Sequence, residues 1–317
     1  MTDVVAAVDC GTNSIRLLVA RAGDGGLIDL HREMRVVRLG QGVDATGAFA
    51  DEAIERTRVA LADYVTIMRS HGVGAVRMVA TSATRDAANR DEFYAMTREL
   101  LGAVVPGAVA EVISGDEEAR LSFAGAVGDL DPAQGPFVVV DLGGGSTEVV
   151  MGDGDGVHAA YSADIGCVRL TERCLHSDPP TDVEIDDAIT VIKELLGEAF
   201  SHVDITDANT FVGVAGTMTT LAALAADLPE YDSELIHLSR VGFEDLSKVC
   251  WDLVRMPRAQ RAELGPMHPG RVDVIGGGSL VTLELAEMIG ERTGITDLVV
   301  SEHDILDGIA LSLLDVD

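Results

Sequence analysis

Hydrophobic and polar positions change period several times along the chain. Residues 4–9, 14–21 and 27–38 alternate or run apolar and predict three strands. From Asp51 to about Ser70 the spacing is helical instead (Ile54, Val59, Leu61, Val65, Met68), with Gly72 as a stop. A short buried strand follows at Val76–Ala80, then a loop at Thr81–Asp86, a helix at Asn89–Leu101 and a strand at Ala108–Ile113. Ser114-Gly-Asp-Glu117 fits the S-x-x-E capping box and predicts a helix running through Leu121, Phe123 and Val127. Gly128–Gly135, with Pro132, is the first plausible boundary. Beyond it come a hairpin at Phe137–Gly152, a turn at Gly152–Gly156 and a strand at Val157–Ala163. Helices are predicted at Cys167–His176 and Thr181–His202, then a strand at Thr210–Ala215 and an Ala/Leu helix opened by Gly216. Short helices at Phe243–Leu253 and Arg258–Leu264, a loop at Gly265–Gly270, a helical segment from Arg271, a strand at Asp297–Val300 and a helix at His303–Leu314 complete the chain. Strands alternating with helices in this way predict an α/β fold.

Two of these stretches share one pattern. Val4–Ala20 lines up without a gap against the later hairpin, so that Asp9 falls on Asp141, Gly11 on Gly143, Ser14 on Ser146 and Arg16 on Glu148. The offset from Asp9 to Asp141 is 132 residues, too long for a solenoid and suited to two domains built on one plan. Each stretch is a strand, an acid, glycine, hydroxyls and a second strand. Glycines let the backbone approach a ligand, and successive N–H groups in such a turn form an anion-binding concavity. Asp141 and Glu148 add hard oxygen ligands of the kind Mg²⁺ prefers, on a cation that would bridge to phosphate. Taken alone, each could be a glycine-rich hairpin with a solvated rim; taken together, they predict a phosphate ligand held between two lobes.

Other candidates are weaker from the residues alone. Gly216-Thr217, between a strand and a helix N-terminus, reads either as a third anion grip or as an ordinary cap. Arg85 leaves the carboxyl end of a strand, where open α/β sheets place ligands, and either reaches a phosphate or pairs with Asp86 or Asp91. Glu117 is assigned to the cap, and Glu118 reads as an ordinary first-turn acid favoured by the helix dipole. Gly276–Gly278 brings backbone close either to a ligand or to another helix. His176, His268 and His303 lack a second histidine at metal-ligand spacing and read as surface or cap residues.

Composition narrows the picture. A chain of 317 residues is usually two domains, and 47% apolar residues with 4% aromatics indicate aliphatic cores. The formal charge of −30 speaks against DNA, RNA or an anionic membrane as partner, which need a broad basic footprint. It does not exclude a small phosphate ligand, because exposed charges beyond a Debye length of ~8 Å contribute little. Except for Lys193 and Lys248 the cations are arginines, the better fork for phosphate oxygens. No apolar run reaches the ~18 residues of a membrane span. Asp3 stands where a leader would be basic, so a cytoplasmic protein is expected. Four cysteines without CxxC spacing fit a reduced compartment.

The DCGTNSIRLLVA start, the TSATRDAAN loop, ISGDEEARLSF, VVVDLGGGSTEVV and VGVAGTMTTLAAL together resemble the exopolyphosphatase/guanosine pentaphosphate phosphohydrolase (Ppx/GppA) family in its short form, from end to end. The resemblance implies two actin-like, ribonuclease H-like lobes around a cleft, with residues 1–125 plus 300–317 in the first and 126–299 in the second. It implies hydrolysis of the terminal phosphate of inorganic polyphosphate, with guanosine pentaphosphate as the rival substrate. A kinase of the same fold or a non-catalytic alarmone-binding regulator are more distant readings. The glutamate before Ala-Arg in the family's EEAR segment is catalytic, which turns Glu118 from a first-turn acid into the expected catalyst, and Arg85 matches the family's active-site arginine. The phosphate loops correspond to Gly11, Thr12, Asn13, Ser14 and Arg16, to Gly143, Gly144, Gly145, Ser146 and Thr147, and to Gly216 and Thr217. The metal-associated acids match Asp141 and Glu148, with Asp9 reaching the ion through water; Mg²⁺ is expected, Mn²⁺ as a substitute, and a homodimer is compatible. One departure stands out: similar proteins often end Leu-Arg-Glu-Gly where this chain reads Ile305-Leu-Asp-Gly308. The longer members' C-terminal helical extension has no counterpart, so a compact substrate path is expected.

Overall fold

The structure, a computed structural model, describes residues 4–23 and 26–314. Asp3, counted above against a leader, lies outside them. The chain divides into two units, residues 1–128 with 305–317 and residues 129–304, a few residues beyond the boundaries expected at 125 and 299.

The first unit is built on β1 (Val5–Cys10), β2 (Ser14–Gly23), β3 (Gly26–Val36), β4 (Ala75–Ala80) and β5 (Glu111–Val112), in the order β3-β2-β1-β4-β5. β1 pairs antiparallel with β2, and β2 with β3, while β1, β4 and β5 run parallel. β1 is buried along its whole length, as its near-continuous apolar sequence requires of a strand covered on both faces. On one face the helix Asp51–Ser70 sets Ala53, Leu61, Tyr64 and Met68 against Val8, Leu17 and Phe93. On the other, the helix Ile305–Leu311 packs Ile305, Leu306 and Ile309 against Ala7, Leu18 and Val79. The chain's last helix therefore completes the first unit's core.

The second unit carries β6 (Phe137–Leu142), β7 (Thr147–Asp153), β8 (Gly156–Ala163), β9 (Thr210–Val214), β10 (Ser239–Gly242) and β11 (Asp297–Val300), in the order β10-β11-β9-β6-β7-β8. β6, β7 and β8 are antiparallel neighbours; β6, β9 and β11 are parallel. Strand for strand this repeats the first sheet, with β10 added at one edge. Two such sheets make the α/β, actin-like fold that the resemblance implies.

Several local expectations are corrected. Val59 is 48% exposed, so it lies off the core face of its helix. The loop after β4 is a short helix, Ser82–Asp86, and the strand expected over 108–113 shrinks to β5. The segment from Arg271 turns helical only at Ile275. Its glycines serve helix contact: a Cβ on Gly277 would lie 2.4 Å from Thr171 Oγ1, and one on Gly278 2.7 Å from Thr217 Cγ2. The capping box at Ser114 is half made: Ser114 Oγ accepts from the Glu117 amide, but the Glu117 carboxylate pairs with Arg77. Thr181 and Glu184 do form the reciprocal box, and the backbone N–H groups around Glu184 hold its pKa down at about 2. Among the described residues no helix is long and apolar enough to cross a membrane.

Candidate active site

The two duplicated turns fold alike. The Gly11 amide donates to the Ser14 carbonyl at 3.0 Å, and the Gly143 amide to the Ser146 carbonyl at 3.0 Å. These two amides close their turns, so they are not the free anion donors expected of Gly11 and Gly143. In the first unit the turn is fastened from behind. The Asn13 carbonyl accepts from the amides of Val37 (3.1 Å) and Arg38 (2.8 Å), and the Thr12 carbonyl from Gly40 (2.8 Å). In the second unit the start of the helix Cys167–Cys174 does the fastening. The Cys167 amide donates to the Gly143 carbonyl at 3.0 Å, and those of Val168 and Arg169 to Gly144 at 2.9 and 3.0 Å. Gly166 allows this approach, since a Cβ there would sit 2.5 Å from the Gly144 backbone. Thr147 is fully buried and donates its hydroxyl to the Ile165 carbonyl at 2.6 Å, a structural bond rather than the ligand contact expected of it.

What differs is the charge across the strands. Asp9 and Arg16 are register partners in β1 and β2, and Arg16 donates to Asp9 Oδ2 through Nε at 3.0 Å and Nη2 at 2.7 Å. Asp141 and Glu148 are register partners at the corresponding place in β6 and β7, 7% and 1% exposed. Ser162 donates to Glu148 Oε1 at 2.7 Å. Like charges directly opposite one another destabilise a strand pair, and a divalent cation between two carboxylates offsets that cost. The donor chemistry of Asp141 and Glu148 thus fits a hard cation. Asp9, expected to reach the ion through water, is paired with Arg16.

Glu118 is 7% exposed on the first turn of the helix Gly115–Val127. Arg85 donates through Nη1 to Glu118 Oε2 at 2.7 Å and to the Ile113 carbonyl at 3.1 Å. Sequence spacing offered Arg85 only its near neighbours Asp86 and Asp91; the fold pairs it with the glutamate instead.

Around Gly216 the chain turns from β9 into the helix Ala215–Ala225, with Ala215 at φ 70. The Arg271 guanidinium lies against Gly216, where a Cβ would meet Nη2 at 2.1 Å, and Arg271 Nη1 donates to Thr220 Oγ1 at 3.2 Å. Sequence reading missed Arg271, 55 residues from Gly216 in the chain; the glycine at a strand-to-helix turn was the only local signal. His268 Nδ1 accepts from the Gly270 amide at 3.0 Å, and burial, then the Arg271 charge, lowers its pKa. His176 lies on the surface as expected. His303 does not stand alone: it contacts Asp129 and lies beside His237.

Two ribonuclease H-like sheets, each with an acid, a tight glycine turn and hydroxyls at the end of its central hairpin, define an actin-like protein of the phosphate-handling kind. The chain belongs to the Ppx/GppA phosphatase family, whose profile matches residues 18–313. Exopolyphosphatase 2 of Mycobacterium tuberculosis is 63% identical over 313 residues, 98% of each chain. Guanosine-5'-triphosphate,3'-diphosphate pyrophosphatase of Vibrio cholerae is 31% identical over 236 residues, 74% of this chain and 46% of that protein. The crystal structure of an exopolyphosphatase-like protein superposes with a TM-score of 0.92 at 45% identity, covering 98% of each chain.

Proposed function

We propose that the protein is an exopolyphosphatase that hydrolyses the terminal phosphoanhydride bond of inorganic polyphosphate. The observation that carries the reading is the buried Glu118 carboxylate held at 2.7 Å by Arg85, in a fold of this family. Glu118 accepts a hydrogen bond from water and aims it at the terminal phosphorus; the water oxygen bonds to phosphorus as the bridging P–O bond breaks. The water's proton passes to Glu118 or to solvent, and polyphosphate one unit shorter leaves with the bonding pair. Arg85 fixes the carboxylate and offers its remaining N–H groups to the phosphoryl oxygens. The hydroxyls of Thr12, Ser14 and Ser146 and the loops at Gly144–Gly145 and Gly216–Thr217 orient the chain end, with Arg271 supplying positive charge beside Gly216. Asp141 and Glu148 would hold Mg²⁺, or Mn²⁺ in its place, which neutralises charge on the bridging oxygens when bound. This reading places the protein in the cytoplasm, where Cys10, Cys167, Cys174 and Cys250 stay as thiols.

Guanosine pentaphosphate is the second reading, favoured by the Vibrio cholerae relative. The test is phosphate release by the purified chain from short polyphosphate and from guanosine pentaphosphate, run side by side with Mg²⁺. A higher kcat/KM on polyphosphate is expected. Release from the nucleotide alone would transfer the protein to the second reading, and tight binding without turnover would make it a regulator.

A further inference from the structure

Asp129, His237 and His303 converge in the second unit, and none of them has a part in the proposed reaction; we propose that they form a binding site for a divalent transition-metal cation of the zinc class. Asp129 Oδ2 lies 2.6 Å from His303 Nδ1 and 3.5 Å from His237 Nε2. One ligand atom from each residue lies within 4.8 Å of the other two, and the two imidazole centroids are 4.6 Å apart. The three come from separate segments: Asp129 at the start of the unit, His237 after the helix Ser233–Ile236, and His303 after β11.

Two imidazoles and one carboxylate suit zinc-like ions, whereas Mg²⁺ prefers oxygen donors. A tetrahedral ion bound at ~2.0–2.1 Å needs its donor atoms about 3.4 Å apart. The Asp129–His237 pair already has that separation, and the Asp129–His303 pair reaches it by opening less than about 1 Å. The side chains of Asp129, His237 and His303 are 48%, 24% and 37% exposed, so the ion has a path in and water can take the fourth position.

Without the ion, Asp129 Oδ2 lies between the two imidazoles, and His237 Nδ1 accepts from the Glu302 amide at 3.3 Å. Metal at His237 Nε2 moves that ring's proton to Nδ1 and ends this long bond. Metal at His303 Nδ1 moves the second ring's proton to Nε2, which needs no partner beyond water. The exchange thus replaces one weak amide bond and the imidazole–carboxylate contacts by three coordinate bonds. Because residues 129 and 304 are the two ends of the second unit, an ion here ties its beginning to its end.

The probe is Co²⁺ alone, titrated into the full chain without Mg²⁺ and followed by visible absorption. One equivalent should produce a d–d band, Zn²⁺ should abolish it by competition, and Zn²⁺ should raise the Tm. His303→Gln and His237→Gln should each lose the band and the Zn²⁺-dependent rise in Tm while releasing phosphate from polyphosphate at the wild-type rate. Asp141→Asn should keep the band. A band that survives both histidine substitutions, a band that disappears in Asp141→Asn, or no band at all would overturn the assignment. If His237→Gln alone proves unstable, His303→Gln decides, since its side chain is the more exposed of the two.

Discussion

Glu118 accepts a hydrogen bond from Arg85 at 2.7 Å, and that contact limits what the carboxylate can do. The guanidinium holds the carboxylate in one place, which suits Glu118 to accept a hydrogen bond from a water that must be aimed. Phosphoryl transfer asks mainly for positioning and charge stabilisation, so aiming that water is the contribution asked of it. Glu118→Gln should still fold, losing roughly 2–3 kcal/mol because it weakens a part-buried ion pair with Arg85, and release phosphate ~10²–10⁴-fold more slowly. Single-turnover phosphate release at saturating Mg²⁺ measures it, and a rate within threefold of wild type would remove Glu118 from the mechanism. From sequence spacing Glu118 was an unremarkable first-turn acid, because its partner stands 33 residues earlier. The family resemblance, not periodicity, singled it out.

At the scale of elements, close backbone approach decides more than propensity. The helices Gly115–Val127 and Ile305–Leu311 meet at Gly308, where a Cβ would lie 2.0 Å from the Leu121 carbonyl oxygen. Beside it, Leu306 is buried in the core and Asp307 forms an ion pair with Arg32 on β3. Leu306, which stands where similar proteins often have arginine, thus packs in this unit's core, while Asp307 acts through its charge and Gly308 through close helix contact. Gly308→Ala should destabilise the chain by about 3 kcal/mol, the upper range for overpacking, because backbone and not a flexible side chain must yield. Urea denaturation checks this; a loss below about 0.5 kcal/mol would mean that the two helices are not so tightly held. The same logic resolves Gly276–Gly278, whose two readings the sequence left open. A glycine shows that something comes near, but only the fold shows that it is Thr171 and Thr217.

At the scale of the whole molecule, one sheet plan occurs twice with different charges in the corresponding cross-strand slot. The first unit places Arg16 opposite Asp9, and the second places Glu148 opposite Asp141. Substituting the two aspartates should therefore have opposite consequences in EDTA. Asp9→Asn weakens an ion pair and should cost roughly 2–3 kcal/mol, below the range for a fully buried pair because Arg16 is 21% exposed. Asp141→Asn relieves a like-charge opposition and should leave Tm level or higher, while raising the Mg²⁺ concentration needed for half-maximal phosphate release. Thermal melts in EDTA and Mg²⁺ titrations of activity measure the two effects. Equal losses of Tm, with an unchanged Mg²⁺ midpoint, would remove the metal from Asp141.

Local chemistry was enough to reveal the duplication: a strand, an acid, a glycine turn and hydroxyls recur at a fixed offset because the same hairpin forms wherever that order occurs. Apolar periodicity likewise placed the helix Asp51–Ser70 and the strands of both central hairpins. Which glutamate Arg85 meets, and that His303 joins Asp129 and His237, were decided only when β-sheets and loops brought distant segments within 4 Å. Periodicity records what one element buries, whereas charge pairing depends on which elements become neighbours, and that is a property of the folded chain.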